Sequence, residues 1–184
     1  MSDKPTYLGL LNAIALGEAQ AECYLSAWAD VTPSDEVAHV LRSVAVREGE
    51  HGKTFAKRIW ELGYSVLPRD DEGAAKRMDI ASSTTLTDRE KFEKLGLGRR
   101  PSDDGDDVFT SMFKDRTIDV ATGELLGRYI AEERDSGRLL RACYDLLCAA
   151  EAPSNGQASD DAIASIEKRL DRIESSLKKL AARK

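Results

Sequence analysis

Basic runs are missing from this chain outside its C-terminal tail. The 27 Lys and Arg are outnumbered by 33 Asp and Glu, for a formal net charge of −6. A phosphate backbone needs a basic face, so nucleic acid is excluded as an expected partner. No stretch approaches the ~18 consecutive apolar residues of a membrane span, so no membrane partner is expected either. The N-terminal MSDKPTYLGLLNAIALGEAQ is interrupted by Asn12 and Glu18. It lacks the basic region, long apolar run and cleavage site of a signal peptide. Cysteine is sparse: Cys23, Cys143 and Cys148 have no zinc-ligand spacing and no Cys-x-x-Cys pair. They are expected to be buried reduced thiols of a cytoplasmic protein. Aromatics make up only 6%, which disfavours a β-sandwich and suits a helical fold.

What the chain does have is helical periodicity. Its 184 residues allow one domain with a sizeable core and an appendage. A first helix is predicted from about Tyr7 to Asp30, with Leu11, Ile14, Ala15, Glu18, Ala21, Glu22, Leu25, Trp28 and Ala29 on one stripe. A second follows Thr32-Pro33, read as an N-cap and first helical position, and ends near Leu62 before Gly63. Its stripe is Val37, Leu41, Val44, Glu48, His51, Phe55, Ile59 and Leu62. Two long helices joined by a few residues should form an antiparallel hairpin.

From 64 to 107 the periodicity dissolves into a crossover, with one short helix expected after the capping box Thr87-Asp88-Arg89-Glu90. Helical pattern resumes near Val108. Thr122-Gly123-Glu124 is the expected break between a shorter third helix and a long fourth one. The fourth carries a double stripe from Leu125/Leu126 through Glu132/Glu133 and Ser136/Gly137 to Leu146/Leu147. Residues 1–150 are thus expected to form the bundle, and 151–160 a linker. Residues 161–184 should form a coiled coil, with Ile163, Leu170 and Leu177 at a and Ile166, Ile173 and Leu180 at d. That segment predicts a homo-oligomer. The other reading of it is a helix folding back on its own bundle.

Charged residues interrupt the apolar stripes at matching heights. In VREGEHGKTF, residues 46–55, Glu48 and His51 lie about 60° apart inside the buried stripe. Glu18 lies mid-stripe on the first helix. A buried unpaired carboxylate costs several kcal/mol, so these groups require partners. A divalent metal is one; a metal-free hydrogen-bonded network is the other. Carboxylate oxygen with imidazole nitrogen suits iron or manganese, with zinc also possible. The fourth helix adds a third carboxylate, Glu132 or Glu133, and Glu22 on the first helix is held in reserve. Gly17, Gly49, Gly52 and Gly137 crowd the same level and predict close backbone approach. His39, on the opposite side of its helix, is expected at the surface.

The segments AIALGEAQAECY (13–24), VAVREGEHGKTFAKRI (44–59) and LLGRYIAEERDSGRLL (125–140) resemble the rubrerythrin-like group of the ferritin-like superfamily. The resemblance implies an all-α, ferritin-like four-helix bundle with a long crossover. It also implies two hairpins that each supply a Glu and a Glu-x-x-His to a dinuclear iron or manganese centre. Glu18, Glu48 and His51 match the first half. In the second half Glu133 matches, but Ser136 stands where His belongs; the alternative phase pairs Glu132 with Asp135. One ion, an asymmetric pair or a site without metal all follow from that departure. The implied activity is oxidation or peroxide reduction at the metal, with reductant coming from another protein. The alternative is a metal-free helical scaffold acting through its coiled coil.

Overall fold

The computed structural model describes residues 4–98 and 115–151, and every described element is helical. In order they are α1 (Leu8–Val31), α2 (Asp35–Glu61), α3 (Ala74–Ser82), α4 (Asp88–Leu95) and α5 (Val120–Glu151). None is long and apolar enough to cross a membrane. The chain divides into two units, Met1–Cys148 and Ala149–Lys184. The predicted coiled coil lies outside the described residues, as does the linker beyond Glu151.

α1 and α2 form the expected antiparallel hairpin, and the turn between them corrects one expectation. Thr32 belongs to the end of α1, its N–H bonding Trp28 O, while Ser34 is the N-cap of α2 and accepts from Val37 N–H at 3.3 Å. Pro33 therefore lies in the loop, and Ser34 does what was assigned to Thr32. At the other end Gly63 adopts φ +84°, a left-handed conformation that only glycine takes without strain.

Among the described residues between α2 and α5 there are two short helices where one was expected. α4 carries the capping box, with Thr87 and Glu90 satisfying each other's backbone N–H groups. α3 lacked a signal because it buries only Ala81 and has no side-chain cap.

The predicted break at Thr122-Gly123-Glu124 is absent: these residues lie within the first turns of α5. Residues 115–119 are not helical, and Asp119 acts as the cap, accepting from Thr122 N–H at 3.0 Å and Thr122 Oγ1 at 2.7 Å. The rest of the predicted third helix, 108–114, is outside the described residues. Asp119 also accepts from Tyr7 OH at 2.6 Å and Arg58 Nη2 at 2.7 Å. The Tyr7 hydroxyl, with Thr122 and Arg58 behind it, holds the Asp119 carboxyl well below the usual carboxylate range. A depressed folded-state pKa means the stabilisation is complete above the ordinary value of about 4 and is lost as pH falls below it. Asp119→Ala should cost about 1–2 kcal/mol at neutral pH and somewhat less near pH ~3, where wild type has begun to lose the contribution. Thermal melts of both chains at the two pH values check this; equal losses at both would contradict it.

α5 runs antiparallel to α2 and parallel to α1. Arg58 meets Asp119, His51 meets Glu132, and Arg47 meets Ser136 along one pair of helices, while Tyr7 meets Asp119 and Glu18 meets Tyr129 along the other. Two apolar clusters result. One joins Tyr7, Leu11, Ile14, Phe55, Ile59, Leu126 and Ile130. The other joins Leu25, Trp28, Leu41, Val44, Phe92 and Leu140, so α4 helps close that end. The two stripes on α5 are not equally buried: Leu126, Ile130 and Leu140 of one are buried, while Leu139 and Leu146 of the other are exposed. Of the thiols, Cys143 is buried as expected, but Cys23 is exposed and Cys148 half-buried. His39 is exposed, as expected.

Candidate metal centre

Between the two apolar clusters lies a polar layer contributed by all three long helices. Glu18 from α1, Glu48 and His51 from α2 and Glu133 from α5 each offer a ligand atom, and these atoms lie within 4.8 Å of one another. These four are the residues singled out in the sequence, Glu18, Glu48 and His51 by stripe phase and Glu133 through the family resemblance. Among the described residues they are the one such group of three or more. Helical spacing explains the convergence. Glu48 and His51 are separated by one short turn on the buried face of α2, and antiparallel pairing brings Glu18 opposite them.

The imidazole is oriented from outside. His51 Nε2 lies 2.8 Å from Glu132 Oε2, and Glu132 Oε1 in turn accepts from Arg128 Nε at 2.9 Å. A carboxylate only accepts, so Nε2 carries the proton and Nδ1 is directed inward. Nδ1 lies 3.3 Å from Glu133 Oε1 and 3.7 Å from Glu48 Oε2. Neither approach is a hydrogen bond: Nδ1 and Glu133 Oε1 are both buried without a hydrogen-bond partner among the described residues. Glu132, a reserve ligand by sequence, therefore positions His51 instead. The other reserve, Glu22, is turned outward to Lys53, with Nζ to Oε1 at 3.3 Å.

Two residues of the site were missed as site members by sequence reasoning. Tyr129 donates its hydroxyl to Glu18 Oε1 at 2.7 Å and sets its ring edge-on to His51, with centroids 5.0 Å apart. Arg47 donates to Ser136 Oγ at 3.1 Å. Tyr129 had a signal, one turn before Glu133 on the same stripe. Arg47 had none, because a flanking residue on a helix normally faces solvent.

Charge is distributed unevenly across the layer. Burial pushes the Glu18 carboxyl well up, aided by Glu48 and Glu133. Burial likewise raises Glu133. It would raise Glu48 too, but His51, Glu18 and Glu133 hold that carboxyl below its ordinary value. Burial alone would lower His51, yet Glu133, Glu48 and Glu132 outweigh it and push the imidazole up to about 10. Protons thus stand in for a cation among the carboxylates. Ligation would require those protons to leave.

The predicted glycine crowding is half present. A Cβ on Gly52 would sit 3.1 Å from Ala19 N and 3.2 Å from Ala15 O, so here the backbones of α1 and α2 meet. A Cβ on Gly49 would overlap the Glu22 carboxylate, the far end of a flexible side chain. Gly17 has open space around it, and Gly137 meets only Arg141 Nη1 at 3.4 Å. Gly52→Ala should therefore cost about 1–3 kcal/mol, because backbone cannot step aside. Gly49→Ala should be neutral or stabilising by up to about 1 kcal/mol, since Glu22 can swing away and helix propensity improves. Chemical denaturation of the two variants tests the contrast, and equal costs would contradict it.

Beside the layer, a cavity of about 260 Å³ opens between α2 and α5, lined by His51, Tyr129, Leu125, Glu132, Lys53 and Arg128 among others. It gives the outer edge of His51 a route to solvent. No family model, curated protein or solved structure matches this chain.

Proposed function

We propose that Glu18, Glu48, His51 and Glu133 bind a divalent transition metal, iron or manganese, within a ferritin-like bundle. The observation that carries this reading is the pair of buried atoms that face one another at 3.3 Å without a hydrogen bond, His51 Nδ1 and Glu133 Oε1. Leaving such atoms unsatisfied costs about 1–3 kcal/mol each, and an ion between them would relieve both. The spacing supports it as well. Ligands about 2.1 Å from a shared ion lie at most ~4.2 Å apart, so a set already within 4.8 Å needs only a small contraction. Three carboxylates with one imidazole suit iron or manganese over softer ions.

When bound, iron would supply redox chemistry toward oxygen or peroxide; this part rests on the ferritin-like resemblance. The chain's own residues do the rest. Glu132 keeps the His51 ring oriented, Tyr129 holds a proton against Glu18 Oε1, and the two apolar clusters keep bulk water from the layer. The cavity against His51 and Tyr129 is the route for a small molecule. A metal-free scaffold is the competing reading, favoured by Ser136 and by the protons that already neutralise the layer. Elemental analysis decides between them. Protein purified without chelator and reloaded anaerobically with ferrous iron or manganese should retain metal through desalting. Retention of none under any loading condition would favour the scaffold.

We also propose that residues 161–184 assemble the chain into a homo-oligomer. Truncation after Ala150 should lower the number of chains per particle found by light scattering while helicity of the remainder persists. An unchanged number of chains would overturn that proposal.

A further inference from the structure

Glu133 opens a turn on α5 that mirrors Glu48–His51 on α2, yet three residues on stands Ser136, only 3% exposed. Its hydroxyl accepts from Arg47 Nη1 at 3.1 Å. The same nitrogen donates to the Glu132 carbonyl at 3.2 Å and pairs with Asp135 Oδ2 at 3.1 Å. A permanent positive charge, tied at three points, thus ends where a second imidazole would begin. Arginine keeps that charge at any pH a protein survives.

Several other carboxylates around the described core are engaged elsewhere. Asp115 bonds Thr6 and Thr117, while Asp119 serves Tyr7, Thr122 and Arg58 at the start of α5. By helical rise Asp119 lies about 20 Å along the helix from Glu133. Glu22 pairs with Lys53, and Glu132 is held between His51 and Arg128. The stretch VFTSMFK, 108–114, contains no Asp, Glu, His or Cys.

We infer that the centre is built for a single ion per chain, with the Arg47 guanidinium as its fixed second cation. The inference rests on the metal reading above and departs from the dinuclear centre that the resemblance implies. Charge supports it. Three carboxylates and one divalent ion leave one net negative charge, and the guanidinium, itself shared with Asp135, adds a fixed positive charge on that side. A second divalent ion would add two positive charges beside that guanidinium, with no second imidazole to hold it.

The test loads the full chain anaerobically with excess manganese(II), desalts it, and measures manganese per chain together with the electron paramagnetic resonance spectrum. The inference expects about one ion per chain and the hyperfine pattern of isolated ions. About two per chain, or an exchange-coupled spectrum, would overturn it while leaving the metal reading intact. No retained manganese or iron would instead overturn the metal reading, and this inference with it. Arg47→Gln, which preserves a donor toward Ser136, tests the guanidinium separately. Removing a like charge beside the ion should tighten manganese binding by about threefold or more. Unchanged or weakened binding would show that Arg47 has only a structural part.

Discussion

The paired replacement Glu48→Gln and His51→Leu should abolish retention of iron and manganese. It deletes the one nitrogen ligand and the carboxylate held most firmly in its charged form. The loss should exceed the ~10–100-fold that removal of an outer partner typically costs. Glu132→Ala provides that comparison, because it frees the His51 ring without touching a proposed ligand. The metal-free stability of the paired variant should meanwhile be unchanged or raised. Burial of charged groups is costly, and apolar or neutral groups of similar volume often replace them without penalty. Two readouts therefore separate ligation from structure: metal content by elemental analysis, and metal-free denaturation midpoint. Wild-type metal content in the paired variant would remove Glu48 and His51 from the site.

Trp28→Ala should cost about 3–5 kcal/mol, the largest stability loss expected from any single change considered for this chain. Trp28 is completely buried in the cluster formed by α1, α2, α4 and α5. Its ring stacks edge-on against Phe92 with centroids 4.7 Å apart, and its Nε1 donates to Asp88 Oδ1 at 2.7 Å. Asp88 also accepts from Thr32 at 2.6 Å, so one buried carboxylate ties α4 to the turn between α1 and α2. Lys91 lies over the Trp28 ring at 5.7 Å and donates to Ala81 O at 2.9 Å, linking α3 to the same knot. Trp28→Phe should keep most of the packing but deprive Asp88 of a buried donor, at about 1–3 kcal/mol. Urea denaturation should therefore order the three chains wild type, Phe, Ala. Equal stability of the Phe and Ala variants would show that the hydrogen bond, not the ring, dominates.

The long helices and their buried faces were legible because side-chain burial repeats with the helical turn. All of Val37, Leu41, Val44, Glu48, His51, Phe55 and Ile59 are buried as their phase requires. The same phase singled out Glu18, Glu48 and His51, and the resemblance added Glu133. Helix ends were read less well. Thr32 and Ser34 are both good caps, and local sequence cannot choose between them. Thr122-Gly123 looked like a break because glycine weakens an isolated helix. Packing of Thr122 against Asp119 and Arg58 overrides that weakness.

By itself, the sequence determined that this chain is helical, which faces of α1 and α2 are buried, and that charged residues interrupt those faces at one level. Each of these depends only on the order of residues along a single helix. Tertiary structure alone decided what the charged residues do. It assigned Glu132 to the outer edge of His51, brought Tyr129 onto Glu18, turned Glu22 outward to Lys53, and delivered Arg47 to Ser136. Those pairings join residues 31 to 111 positions apart. They arise from how one helix is rotated and shifted against another, which no periodicity within a single helix records.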